Sequence, residues 1–245
     1  MTETQIAVVA AAFLIAGLVK GGVGMGLPPT AVAIMTLALP LSDALAIMTL
    51  PTIATNVWQA FYGGRFRPLL KRFWPMGLTI AAATLATAWG FGKLGSPAAV
   101  AWLGVVLALY GLIALVAWRP RTPRVAEPWA NIASGVATGA VTGVTGIGAV
   151  PFLPYMQSLE LTKDELVQAL GILFVFIMTA LTIALASQGA FNTGNLVGGL
   201  LANIPVFIGV WLGQRVRNAV SPETFRRIFL LGMLGIGLHM ARGLL

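Results

Sequence analysis

The chain has no cysteine, a single histidine and only seven acidic residues among its 245. Without cysteine there is no disulfide, no thiolate nucleophile and no iron–sulfur cluster. The seven carboxylates (Glu3, Asp43, Glu127, Glu160, Asp164, Glu165, Glu223) fall at predicted segment ends or in loops. With His239 they supply neither a metal-ligand set nor a nucleophile–base–acid arrangement. Ser134 could be a nucleophile only if a base reached it, and Lys20 is the sole remote candidate. The sequence therefore reads as a non-enzyme with no cofactor and no metal. The first segment also lacks the basic start and small-residue cleavage site of a secretory signal, which marks it as mature structure.

What the chain has in abundance is apolar surface. Hydrophobic residues make up 58% of it, charged residues 9%, and the mean hydropathy is +0.90. A soluble core could not hide that much, so the fold class expected is an all-α integral membrane protein. Predominantly apolar runs at 45–61, 75–91, 97–118, 166–186, 195–213 and 229–240 approach the length needed to cross a hydrocarbon layer of about 30 Å. They do not alternate as barrel strands would.

The sequence repeats itself. Gly17-Leu-Val-Lys-Gly-Gly-Val-Gly-Met-Gly-Leu-Pro-Pro29 returns 122 residues later as Gly139-Ala-Val-Thr-Gly-Val-Thr-Gly-Ile-Gly-Ala-Val-Pro151, with six of thirteen positions identical. A weaker match at an offset of 125 pairs Gly64-Arg65-Phe66 with Gly189-Ala190-Phe191, and Ser96-Pro97 with Ser221-Pro222. One transmembrane domain over 1–245 is expected, with pseudo-repeats at about 1–122 and 123–245 joined by a basic cytoplasmic linker, 119–129. Each half reads as two short apolar segments flanking the glycine motif, then three longer ones. The short pairs are 5–19 with 27–40, and 130–141 with 149–159. At 1.5 Å per residue the first pair reaches roughly 21–22 Å each, which suggests hairpins whose tips stop inside the membrane. Short tilted helices that cross are the competing reading. Both give an odd number of crossings per half and hence inverted topology.

The basic residues test that inversion. Arg65, Arg67, Lys71 and Arg72 crowd one loop of the first half, whereas the matching loop 187–194 is uncharged. The next loop of the first half holds only Lys93, while its counterpart carries Arg215, Arg217, Arg226 and Arg227. With Arg119, Arg121, Arg124 and Lys163, twelve of the fifteen basic residues fall inside, Lys93 and Arg242 fall outside, and Lys20 sits at a hairpin tip. The positive-inside rule then puts both termini outside. Topology thus explains the net charge of +8, and no nucleic acid is implied.

Irregular glycine-rich backbone survives in a bilayer only where protein or a polar cavity satisfies it. Glycine permits positive φ, in which successive N–H groups converge on an anion, and a helix starting after the break adds its positive end. The candidate anion donors are Lys20, Gly21, Gly22, Gly24 and Gly26 in the first copy, and Thr142, Gly143, Thr145, Gly146 and Gly148 in the second. Donors from both tips meeting near the midplane would suit an oxyanion. Against this, Gly17-xxx-Gly21, Gly22-xxx-Gly26 and the 135, 139, 143 series have the spacing of close helix packing, the reading preferred for the last of them. Lys20 could equally snorkel to an interface.

Asn56 and Gln59 are candidate path-lining residues, although such side chains also bridge helices. Gln168, Thr179 and Thr182 are weaker candidates, and Asn203 before Pro205 marks a helix break where its amide could serve substrate or freed carbonyls. His239 reads as interfacial or packing. Asp43 and Glu165, paired by the repeat, read first as helix caps and second as a gate or coupling site. For an anion carrier, outward movement from a negative-inside cell is favourable by about 2.3 kcal/mol per charge per 100 mV, and no buried carboxylate is on offer as a proton relay, so such a carrier would need no coupling ion in that direction.

The duplicated glycine-rich motif at 21–29 and 143–151, the length and the segment count resemble the TauE/SafE sulfite exporter family over nearly the whole chain. Lys20 has no counterpart in the second copy. The resemblance implies a secondary carrier for a small sulfur-containing anion, sulfite or an organosulfonate such as sulfoacetate. A channel-like anion pore and a proton-coupled importer of organosulfonates are the alternatives. The partners implied are that anion and the lipid bilayer, with a homodimer compatible with the sequence.

Overall fold

The computed structural model describes residues 1–23, 25–91, 94, 96–116, 121–148, 152–219 and 222–244, so readings placed on Gly24, Lys93, Arg119, Pro151 and Ser221 lie outside the described residues. Within them the regular structure is all helical. In order come α1 (Glu3–Val23), α2 (Leu27–Met35), α3 (Leu41–Phe61), α4 (Phe66–Gly90), α5 (Pro97–Val116) and α6 (Glu127–Thr145). They are followed by α7 (Phe152–Ser158), α8 (Lys163–Ser187), α9 (Thr193–Leu201), α10 (Asn203–Ala219), α11 (Pro222–Ala241) and a 3-10 turn (Arg242–Leu244). Among the described residues three stretches are long and apolar enough to cross a membrane: Glu3–Gly22, Lys163–Ser187 and Thr193–Val216. This is a multi-pass helical membrane protein.

The hairpins are lopsided where the sequence suggested two equal short arms. α1 has 21 residues and α6 has 19, whereas α2 has nine and α7 seven. At 1.5 Å per residue α1 reaches about 31 Å, a full crossing. The helices continue through their glycines because those glycines seat a neighbouring backbone.

Two compact units emerge, and neither follows the sequence halves: Met1–Thr52, Gly95–Leu115 and Gly189–Leu245 form one, Ile53–Leu94 and Val116–Gln188 the other. In the first unit α1 lies along α10 in the same direction. Gly17 and Gly21 face the carbonyls of Val206 and Val210, and Gly209 and Gly213 face those of Leu14 and Leu18. Two small-xxx-small faces thus interlock, the arrangement that lets dispersion and weak polar contacts hold helices where lipid supplies no hydrophobic drive. Gly104 of α5 and Gly237 of α11 abut each other's carbonyls in the same way. α2 turns back, so that Gln5 Nε2 reaches the Ala38 carbonyl at 3.5 Å.

In the second unit α6 runs parallel to α4, with Gly135, Gly139 and Gly143 facing the carbonyls of Met76, Ile80 and Thr84. The preference for packing at these three is therefore what the structure shows. α8 lies on α4 as well, Gly77 sitting under the Phe176 ring. At one end of this unit Gln59 Nε2 donates to the Val167 carbonyl (2.6 Å) and Gln168 Nε2 to the Ala60 carbonyl (2.8 Å), a reciprocal clamp between α3 and α8.

α8 starts with a capping box: Glu165 N donates to Thr162 Oγ1 (3.2 Å) and Thr162 N to Glu165 Oε2 (3.0 Å). Thr162→Ala is expected to destabilise the protein by about 1 kcal/mol, read as a lowered melting temperature in detergent.

Candidate functional site

The first unit holds Lys20, Gly21, Gly22 and Gly26 of the first glycine motif, together with Asp43 and Asn203. Lys20 lies in the last turn of α1 and is only 9% exposed, so it is enclosed by protein rather than snorkelling outward. Gly21 presents its Cα face to the Val210 carbonyl, and a Cβ on Gly213 would meet Gly22 N at 2.9 Å. Gly26, at φ 94°, is where the chain turns left-handed to begin α2. Its carbonyl accepts from both Thr30 Oγ1 (2.6 Å) and Thr30 N (3.2 Å).

The start of α2 carries few free donors. A helix start attracts anions through unbonded N–H groups, but Pro28 and Pro29 occupy its first turn and carry none. Leu27 keeps the one donor there.

Asp43 and Asn203 have structural partners. Asn195 Nδ2 donates to Asp43 Oδ1 (3.0 Å), tying the start of α3 to α9. Asn203 Nδ2 donates to the carbonyls of Gly199 and Leu200 (3.0 and 3.1 Å), where α9 gives way to α10. Its Oδ1 is buried without a partner among the described residues.

The second unit holds Asn56, Gln59, Thr142, Gly143, Thr145, Gly146, Gly148 and Glu165. Gly146 (φ 76°) ends α6 and donates back to the Thr142 carbonyl at 2.7 Å. A Cβ on Gly143 would meet Ala88 N at 2.8 Å, which puts the end of α6 level with the final turn of α4 and not partway along it. Gly148 folds back onto Thr142 and Thr138, with Ile177 of α8 alongside. Thr142 Oγ1 donates to the Thr138 carbonyl (2.7 Å) and Thr145 Oγ1 to the Val141 carbonyl (2.8 Å). Asn56 is buried, and Gln59 is taken up by the α3–α8 clamp. Glu165 forms the capping box and pairs with Arg65 at 3.3 Å, so its helix-capping role is observed.

Sequence reading missed a polar cluster in this unit. Arg72 meets Glu127 through two bonds, Nε to Oε1 at 2.5 Å and Nη2 to Oε2 at 2.7 Å. Tyr155 OH donates to Asn131 Oδ1 (2.8 Å), and the Thr122 and Ser158 hydroxyls meet at 2.6 Å. The start of α6 is thereby bound to α4 and to the end of α7. Arg72 and Glu127 had looked like loop charges 55 residues apart, and nothing local signals that they meet.

The family model for the sulfite exporter TauE/SafE matches residues 9–240. The chain belongs to that family. It is 29% identical over 135 residues to a probable sulfite/organosulfonate exporter TauE of Cupriavidus necator, covering 55% of this chain and 52% of that protein. The match thus spans about half the length of the curated relative. No solved structure matches. The family's name is that of an exporter.

Proposed function

We propose that this protein carries a small sulfur-containing oxyanion, sulfite or an organosulfonate such as sulfoacetate, out across the bacterial inner membrane by alternating access. Lys20 supplies the charge that holds the anion, with main-chain groups of the first glycine motif beside it. The observation that carries the reading is a lysine enclosed in the last turn of a membrane-crossing helix, in a chain that belongs to an exporter family. An intramembrane charge is expensive and is retained for function. Inverted repeats and external termini agree with the reversed distribution of basic residues between the halves. They agree also with the recurrence of one pairing: α1 takes α10 as its glycine-lined neighbour, α6 takes α4, and the sequence match sets α10 opposite α4.

The test is binding of sulfite, sulfoacetate, taurine, thiosulfate and sulfate to the purified protein. The wild type is expected to bind at least one, and Lys20→Gln to bind it at least tenfold more weakly with its melting temperature retained, a loss of about 1.4 kcal/mol or more. Equal affinity in the variant would remove Lys20 from the site. In vesicles, saturable flux accelerated by counter-substrate marks a carrier, and its absence a pore.

A further inference from the structure

A buried threonine in a helix usually returns its hydroxyl to the carbonyl one turn back. The buried Thr142 and Thr145 do so here, as do the half-buried Thr79, Thr87 and Thr182. Thr84 and Thr138 do not. Both are fully buried, and neither Oγ1 has a hydrogen-bond partner among the described residues; the buried Ser134 Oγ is likewise unpaired. These exceptions lie together. Thr138 belongs to α6, and the next residue, Gly139, would place a Cβ 2.9 Å from Thr84 N on α4. Along α6 the polar residues Asn131, Ser134, Thr138, Thr142 and Thr145 recur at intervals of three or four, one turn apart on a single face.

A hydroxyl shut away from water without a partner is unfavourable unless something else accepts its proton. We propose that Thr138 and Thr84, flanked by Ser134 and Thr142, form a hydroxyl-lined subsite that donates O–H bonds to the oxygens of a sulfur oxyanion. The inference rests on the anion-export reading above and extends it to the second unit, where the polar residues named on this face of α6 are all neutral. Neutral donors suit such a place. They match the several acceptor oxygens of a sulfite or sulfonate group without a fixed countercharge, so the anion is held briefly and released easily. The Thr142 hydroxyl can join by rotation about χ1, because the Thr138 carbonyl that it now bonds is an ordinary helical acceptor of the main chain.

The experiment compares sulfite and sulfoacetate binding by calorimetry for wild type, Thr138→Val, Thr84→Val, Thr138→Ser and Lys20→Gln, each with its melting temperature measured without ligand. Each valine variant is expected to bind about tenfold more weakly, Thr138→Ser to bind like wild type, and the valine melting temperatures to hold or rise, since no hydrogen bond is lost. If the valine variants bind as wild type does while Lys20→Gln binds weakly, the hydroxyl subsite is wrong and the export reading stands. If valine lowers affinity and melting temperature together, the hydroxyls are structural and the subsite is again wrong. If the wild type binds neither anion, both readings fall.

Discussion

Gly139→Val is expected to leave almost no correctly folded protein. A Cβ at this position would fall on the Ile80 carbonyl and come within 2.7 Å of the Ala83 Cβ and 2.9 Å of Thr84 N. Two of those three neighbours are backbone, which cannot rotate out of the way. α4 and α6 would have to part, and Gly135 and Gly143 would lose their contacts along the same seam. Overpacking typically costs about 1–3 kcal/mol where side chains can shift; against rigid backbone the expected loss is about 3 kcal/mol or more. Size-exclusion of a fluorescent fusion with a thermal ramp reads this as aggregation or a large fall in melting temperature. Gly17→Val should do the same in the other unit, where the Val206 carbonyl blocks it. Gly232→Ala and Gly235→Ala on α11, where a Cβ meets nothing within 4 Å, should be tolerated and serve as controls. A monodisperse Gly139→Val protein with wild-type stability would rule out the α4–α6 contact.

Those same glycines show how far the sequence could be read. Their spacing of four was visible and admitted two meanings, close packing or a break that opens a site. For Gly135, Gly139 and Gly143 packing holds, because the facing positions on α4 present carbonyls to them. At Gly26 a helix begins and at Gly146 one stops, each residue at positive φ. Nothing in the spacing separates the two outcomes, since the deciding partner is a helix remote in the chain: α10 for α1, α4 for α6. The same remoteness led α1 to be read as 5–19 when it runs on to Val23. Membrane class and the break near Asn203 were legible because hydropathy and proline act locally, whereas the reading of five segments per half did not foresee α9 and α10 as separate helices. The scarcity of donors at the α2 start was also legible, in Pro28 and Pro29, once the missing N–H groups are considered. The Arg72–Glu127 pair was not, because both residues carry the charge and position of ordinary loop residues.

Glu127→Gln should be the most damaging single change among the ion pairs. Glu127 is buried at the start of α6 and receives two charge-assisted bonds from Arg72, whereas the Arg124–Glu160 pair lies at the surface, 82% and 71% exposed. Removing one partner of a buried pair costs about 3–5 kcal/mol because the other charge is stranded. The Arg72 side chain is 31% exposed and can be partly rehydrated, so about 2 kcal/mol is expected for Glu127→Gln, against less than about 0.5 for Glu160→Gln. Arg72→Met with Glu127→Leu should recover most of the loss, since replacing both charges by apolar groups strands neither. The effect should also be local. Tyr155 reaches α6 beside this pair, its hydroxyl 2.8 Å from Asn131 Oδ1 and 3.4 Å from the Glu127 carbonyl. Loosening Glu127 therefore frees α7, and hydrogen exchange in Glu127→Gln should rise across Phe152–Ser158 while the α1–α10 seam stays protected. If α7 keeps its protection and only the global melting temperature falls, the pair stabilises α6 against α4 alone and does not restrain the short arm of the hairpin.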